Sequence, residues 1–359
     1  MSQRLVDAQA TPQTAALFDS LQKLSEAHVL FGHQHATEYG RGWSGEADRS
    51  DVKSVTGSHP AVIGVDLSGL SGRPPEAVEA YKNALRENVI ATYDRGGLTT
   101  LAWHFSDPVS GTDFNWDKAV SVPAVGRLLP GGSHHEEYKR ILAVIADFAG
   151  SVVGRDGTLA PLIFRPYHEF DGAWFWWGKP HCTTEEFVGL WRFTVSHLRD
   201  DLGVHNFLYA FSPDCLFRTE AEFLERYPGD AWVDLVGMDD YADFGRDGHY
   251  DLEAGIRKLR IVSDYALKTG KLAAFTETGL ESITEPTWWT ETLLPVLKRA
   301  DLRLCYVLVW RNDVHSPTHY YAPHPGHPSV PDFLRFYGDP FTLFEGDLPP
   351  LYGRGVGTG

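Results

Sequence analysis

The sequence predicts an α/β protein built as a single (β/α)8 TIM barrel. Three observations carry that expectation. Eight short apolar runs alternate with segments of helical period along the 359 residues, the order of a parallel sheet wrapped by helices. Several of the runs are apolar throughout, as strands covered on both faces are. Nearly every run ends on a residue suited to chemistry, and a barrel gathers such ends at one mouth. A doubly wound open sheet is the structural alternative. It loses support because no Gly-x-Gly-x-x-Gly follows the first run and no Gly-x-x-x-x-Gly-Lys-Ser/Thr occurs anywhere.

The strand candidates are Val29–Gly32, Ala61–Asp66, Leu98–Trp103, Pro161–Pro166, Asn206–Phe211, Val233–Met238, Leu272–Glu277 and Leu304–Trp310. Helices fall between them. Val78, Tyr81, Leu85 and Val89 repeat at helical spacing, and Gly96-Gly97 can end that helix. Ile141, Val144, Ile145 and Phe148 form a second stripe, opened by Ser133-x-x-Glu136. Phe187, Leu190, Trp191 and Leu198 form a third, opened by Thr183-x-x-Glu186, and Thr219-x-x-Glu222 opens a shorter helix. In these capping boxes a hydroxyl and a carboxyl satisfy free N–H groups at the helix start. Leu252, Ile256, Leu259 and Ala266 mark a further helix. Trp288–Ala300 is another, with Pro295 expected to kink it, and a last helix lies near Asp332–Phe336. Two connections are long and rich in Gly, Pro, Asp and His: His104–Ser133 after strand three and Arg311–Ser329 after strand eight. No repeat or linker divides the chain, so residues 1–352 are expected to form one catalytic barrel, followed by a Gly-rich, frayed tail over 353–359.

Composition narrows the function. Acidic residues outnumber basic ones 48 to 32, a formal charge of −16. That argues against nucleic acid, which needs basic patches, and is indifferent to a neutral polysaccharide. No run approaches the ~20 apolar residues of a membrane span, so no membrane partner is expected. Residues 1–16 are polar and carry no signal-peptide core. A polysaccharide substrate favours export if a leader was trimmed; a native start at Met1 favours the cytoplasm. Cys182, Cys215 and Cys305 lie far apart without zinc-type spacing, and a disulfide framework is not expected, although a single bridge is open. Eleven Trp form a high count, divided between core and stacking platforms.

The richest stretch is Phe164–Gly178. It ends a buried strand on Arg165, His168 and Glu169, makes an Asp171-Gly172 turn, and follows with Trp174, Trp176 and Trp177. Charged groups at a buried strand end need partners or a task. A carboxyl beside aromatic faces suits the cleavage of sugars, because rings stack on pyranoses while the carboxyl protonates a leaving oxygen. An aromatic core segment with one satisfied Glu is the plain alternative. The other strand ends add His33-Gln34-His35, Asp66, Trp103-His104, Ser212 and Asp214, Asp239-Asp240-Tyr241, Glu277, and Trp310-Arg311-Asn312. Each alone is more simply a structural polar residue; eight in one register converge on a mouth. Glu169 and Glu277, on strands four and seven, then suggest double displacement, one as acid/base and one as nucleophile. A charged Glu277 nearby would raise the Glu169 pKa. Arg165 can hold the nucleophile ionised, and Tyr241 can donate to it.

These residues resemble glycoside hydrolase family 26. The resemblance is carried by Arg165-Pro166-Tyr167-His168-Glu169 through Gly172 and Trp174–Gly178, by Leu30–Gln34, Trp103-His104 and Phe275-Thr276-Glu277, and by Val309–Asn312. It spans strands one to eight. It implies a retaining β-glycanase, with Glu169 as acid/base and Glu277 as nucleophile. His168 would stand beside the 2-OH of the −1 sugar. His104 and Trp310 would line that subsite, Tyr241 would contact the nucleophile, and Trp174 would bind sugar. Trp103, Arg165, Asp66 and His33 complete the expected substrate-binding set. The family is mainly endo-β-1,4-mannanases. Others of its members release mannobiose from chain ends or cut β-1,3-xylan or mixed-linkage β-glucan. The expectation is a monomeric endo-β-mannanase acting on mannan, glucomannan or manno-oligosaccharides, with no cofactor and no metal.

Two other classes compete. A metal-dependent barrel hydrolase could use His33 and His35, or His315, His319, His324 and His327, but Pro317, Pro323, Pro325 and Pro328 break any helical ligand spacing in the latter loop. A non-catalytic carbohydrate-binding barrel would keep the Trp and lose a carboxylate; both Glu169 and Glu277 are present.

Overall fold

The computed structural model describes residues 5–353. Residues 354–359, most of the expected Gly-rich tail, lie outside the described residues. Eight parallel strands close on themselves: β1 Val29–Gln34, β2 Val62–Asp66, β3 Leu98–Trp103, β4 Leu162–Pro166, β5 Phe207–Phe211, β6 Leu235–Asp239, β7 Leu272–Thr278 and β8 Tyr306–Val309. Each pairs with the next, and β8 pairs back onto β1 at Leu30–Tyr306 through His33–Val309. All eight expected strands are present, and their backbones are buried along their full length. That double coverage is why the runs read as continuously apolar. A short segment, Thr342–Leu343, adds beside β1 at the barrel floor. A two-residue hairpin, Tyr39–Gly40 with Trp43–Ser44, stands at the mouth. Neither carries enough periodicity to be seen in the sequence.

The helices are α1 Pro12–Leu24, α2 Asp51–Thr56, α3 Pro75–Asp94, α4 Val125–Leu128, α5 His135–Ser151, α6 Thr184–Ser196, α7 Glu220–Phe223, α8 Leu252–Thr269, α9 Leu294–Leu297 and α10 Val330–Tyr337. The capping boxes at Thr183 and Thr219 form with both reciprocal bonds. The one at Ser133 does not. α5 starts after His134 without a side-chain cap, and the Ser133 hydroxyl lies 2.9 Å from His134 Nδ1 instead. The expected kink at Pro295 takes a different form. Residues Trp289–Leu293 make a π turn, with Leu294 N–H bonded to Trp289 O, and α9 follows it. Widening the turn just before a residue that lacks an N–H keeps Trp288 and Trp289 packed in the core. Six of the eleven Trp are fully buried: Trp103, Trp176, Trp177, Trp191, Trp288 and Trp289. The three cysteines are free. Among the described residues no helix is long and apolar enough to cross a membrane.

One irregularity positions the site. Along β6 the partners advance from Met238 to Asp239 while β7 advances from Phe275 to Glu277. On the other side β8 advances from Val307 to Val309 while β7 advances from Phe275 to Thr278. β7 therefore holds one extra residue against both neighbours. Such a bulge re-aims the side chains that follow it, and here it sets Glu277 opposite Asp239.

Candidate active site

The strand ends meet at the mouth around one buried cation. Arg165, at the end of β4, is 2% exposed. One terminal nitrogen donates to Asp239 Oδ2 at 2.8 Å and to Ser212 Oγ at 3.1 Å, and the other donates to Glu277 Oε1. Glu277 Oε2 accepts from Tyr241 Oη at 2.9 Å, so both oxygens of this carboxylate are held. Asp239 is held on its second oxygen by Thr276 Oγ1 at 2.6 Å. Burial drives the Asp239 carboxyl well above its ordinary range; Arg165 pulls it down, and Glu277 pushes it up. An Arg bridging two carboxylates in a dry site offsets a desolvation cost that neither acid could bear alone.

Glu169 sits differently. Among the described residues its carboxyl has one side-chain donor, Trp174 Nε1, 2.6 Å from Oε2. Burial raises its pKa well above the ordinary carboxylate value, and Asp239, Asp214 and Glu277 raise it further; the Trp174 bond opposes them. Trp174 is 38% exposed. The turn beneath it needs Gly172, because a Cβ there would come within 2.3 Å of the Trp174 ring. Asp171 fastens the same turn to the β5 loop by accepting from Asp214 N at 2.6 Å and Leu216 N at 3.2 Å.

The histidines form the opposite wall. His104 Nδ1 lies 2.5 Å from Asp66 Oδ2. Burial alone would raise the Asp66 carboxyl, but His104, by charge and hydrogen bond, outweighs it and holds Asp66 at about 2. The His104 ring meets His168 at 4.6 Å and Trp310 at 5.7 Å. His168 is 1% exposed; burial, then the charges of Arg165 and His104, push its pKa well down and keep the ring neutral. Trp177 Nε1 fixes its carbonyl at 2.8 Å. His33 is buried at the end of β1 and driven down to about 4, chiefly by burial.

The structure thus brings Glu169, Glu277, Arg165, His168, His104, Asp66, Tyr241, Trp174 and Trp310 to one mouth. It does not bring Trp103 there. That ring is fully buried, stacked on Phe105 at 4.2 Å and packed against Tyr167 at 5.8 Å. The correction follows from the strand period: neighbours on a strand face opposite ways, so with His104 at the mouth Trp103 turns to the helix layer. His33 is 1% exposed, as His168 is. The expected set also omitted residues. Phe114 and Phe175 pack on His104 at 4.7 and 5.6 Å and complete its wall. Asp51 ties the mouth together, accepting from Trp43 Nε1 at 2.7 Å, Arg41 N at 2.8 Å and Asn312 Nδ2 at 2.8 Å. Phe175 was visible within the Trp-rich block; Asp51 lies on a helix far from any strand end and gave no signal.

His168, Asp239 and Glu277 bring ligand atoms within 4.8 Å of one another, near enough to share a cation. The Arg165 guanidinium already bridges the two carboxylates, so a metal would have to displace it. An open cavity of about 280 Å³ adjoins the site, lined by Tyr241, Gly279, Ser282 and Tyr321 among others.

A parallel barrel with paired carboxyls at the ends of β4 and β7, amid aromatic rings, places the protein among the glycoside hydrolases. The glycosyl hydrolase family 26 profile matches residues 6–275. The chain belongs to that family. A mannan endo-1,4-beta-mannosidase of Bifidobacterium adolescentis is 39% identical over 286 residues, covering 77% of this chain and 28% of that protein. The chain thus corresponds to under a third of that relative's length. A GH26 beta-mannanase structure from Bacteroides ovatus superposes with a TM-score of 0.87 at 41% identity, covering 96% of this chain and 98% of that one. The GH26C structure from a Muricauda species gives 0.89 at 39% identity, covering 97% and 95%.

Proposed function

We propose that the protein is a retaining endo-β-1,4-mannanase, with Glu277 as nucleophile and Glu169 as acid/base. The observation that carries the assignment is the asymmetry between the two carboxyls. Glu277 has a guanidinium and a phenol on its two oxygens, the setting of a carboxylate kept charged. Glu169 has a single donor and is pushed up by burial and by the acids around it, the setting of a carboxyl kept protonated. One carboxyl raised toward its protonated form beside another held by a guanidinium and a phenol assigns acid and nucleophile.

In the first step Glu277 attacks the anomeric carbon as the glycosidic C–O bond breaks, and Glu169 gives its proton to the leaving oxygen. The glycosyl ester removes the charge on Glu277, one of the groups that raises Glu169. Glu169 can then take a proton from the water that attacks the anomeric carbon, and Glu277 leaves with its charge restored. Trp174 offers its exposed face to the sugar on the acid's side, while His168 and His104 line the −1 site next to the 2-OH. The mannan substrate and endo action rest on the family and on the activity for which the Bifidobacterium relative is named.

The test is turnover by Glu169→Ala and Glu277→Ala on unactivated mannan. Both should lose activity by several orders of magnitude, and azide should restore the Glu277 variant with a glycosyl azide of inverted configuration. Full activity in either variant would refute the assignment. Mannohexaose cut to a mixture of oligosaccharides is expected; mannobiose alone from the first minutes would refute endo action.

A further inference from the structure

We propose that three buried hydroxyls, on Tyr138, Tyr167 and Thr194, are a positioning device for Glu169. The inference rests on the reading of Glu169 as acid/base. Two residues around His168 have left-handed backbones: Tyr167 at φ 50° and Glu169 at φ 52°. Such conformations are rare for large side chains and persist only where the surroundings over-determine them. On the Glu169 side the restraint is its N–H, which donates to Ser212 O at 3.0 Å. On the Tyr167 side it is the side chain. The left-handed turn sends this ring away from the mouth into the helix layer, against Trp103, Trp177, Phe187 and Trp191.

There the phenol ends in a closed polar cluster. Tyr138, from α5, bonds the Tyr167 hydroxyl and lies 2.5 Å from Thr194 Oγ1, on α6; Tyr167 Oη is 3.0 Å from the same Oγ1. Thr194 donates its own proton to Leu190 O at 2.7 Å, so it accepts within the cluster. One of the three protons goes to the carbonyl, so the two phenol protons serve the three contacts among the hydroxyls, and each hydroxyl has a partner. All three side chains are fully buried. Buried hydroxyls add little net stability over apolar groups of the same shape, but they accept only one arrangement. The arrangement pins Tyr167, and through two peptide units it fixes where Glu169 stands above the glycosidic oxygen. Tyr138 and Thr194 touch neither the cleft nor Glu169, and act only through Tyr167.

The test separates positioning of the acid from general loosening of the fold. Tyr138→Phe and Thr194→Val are assayed for kcat/KM, which reports glycosylation, on an unactivated manno-oligosaccharide and on dinitrophenyl β-mannobioside. The dinitrophenolate leaves without a proton, so its departure does not need a well-placed acid. The expected result is a loss of about 10- to 100-fold on the oligosaccharide, the scale of a small misplacement of a reacting group, with less than about a twofold change on the aryl glycoside. The pH limb assigned to Glu169 should move in the same variants, and Thr194→Ser, which keeps the hydroxyl, should restore both readouts. Equal losses on the two substrates, or no loss on either, would overturn the inference. Should Tyr138→Phe fail to fold, the Thr194 pair decides alone. A wild-type chain inactive on both substrates would instead sink the functional reading, and the positioning role with it.

Discussion

Replacing Tyr241 by Phe removes one atom, and its effect should fall on one step. The phenol donates to Glu277 Oε2 at 2.9 Å and is 5% exposed, while Oε1 stays with Arg165. A hydrogen bond to a charged group is worth about 1.5–3 kcal/mol. At 1.36 kcal/mol per tenfold, that is about 10- to 150-fold in rate if the bond acts fully in one transition state. In glycosylation the carboxylate loses its charge and the bond weakens, so the phenol gives little net help. In deglycosylation the departing carboxylate regains charge and the bond strengthens. Tyr241→Phe should therefore lower kcat by about 10- to 150-fold and KM with it, leaving kcat/KM for an aryl mannobioside nearly unchanged. Rapid mixing should show a burst of aryl alcohol as the glycosyl-enzyme accumulates. A fall in kcat/KM as large as that in kcat, with no burst, would refute the reasoning.

Other expectations follow from the same geometry. Trp174→Phe removes the one side-chain donor to Glu169, a bond that favours the ionised form. The Glu169 pKa should rise, and because the acid must be protonated, the high-pH limb of kcat/KM should shift upward; a downward shift would contradict the assignment. Asp51→Ala strands three donors from Arg41, Trp43 and Asn312, and should cost about 3 kcal/mol in urea unfolding; a loss below about 1 kcal/mol would deny Asp51 its linking role. Arg165→Met leaves Asp239 and Glu277 buried and close without a counter-charge, and should destabilise by about 3–5 kcal/mol; unchanged thermal stability at neutral pH would refute the ion cluster. Activity should survive prolonged exposure to a chelator, because Arg165 bridges the carboxylates a metal would need; loss with recovery on adding a divalent ion would return the metal-dependent reading.

Much of this protein was legible before its structure. Eight apolar runs gave eight strands because a strand buried on both faces tolerates little else. Glu169 and Glu277 stood out because a carboxyl ending a buried strand requires a partner or a task. The Thr183 and Thr219 boxes formed because capping is a local bond between neighbours. Ser133 carries the same pattern and did not cap, since the chain enters α5 from a long loop whose path is set elsewhere. Trp103 was misplaced for a related reason: residue type says that a ring is buried or stacked, not against what.

The residues by themselves determined the strand order, the pair of carboxyls and the aromatic wall, all of which follow from period and chemical type along the chain. Only the tertiary structure shows how differently the two carboxyls are held. That rests on contacts between residues as far apart as Arg165 and Glu277, and on a single extra residue in β7 that turns Glu277 toward Arg165 and Tyr241. It also decided that Trp174 meets Glu169 while Trp176 bonds the Phe105 carbonyl and Trp177 the His168 carbonyl. A pKa is set by the dielectric and the charges surrounding a group, and those exist only once distant strand ends share one mouth.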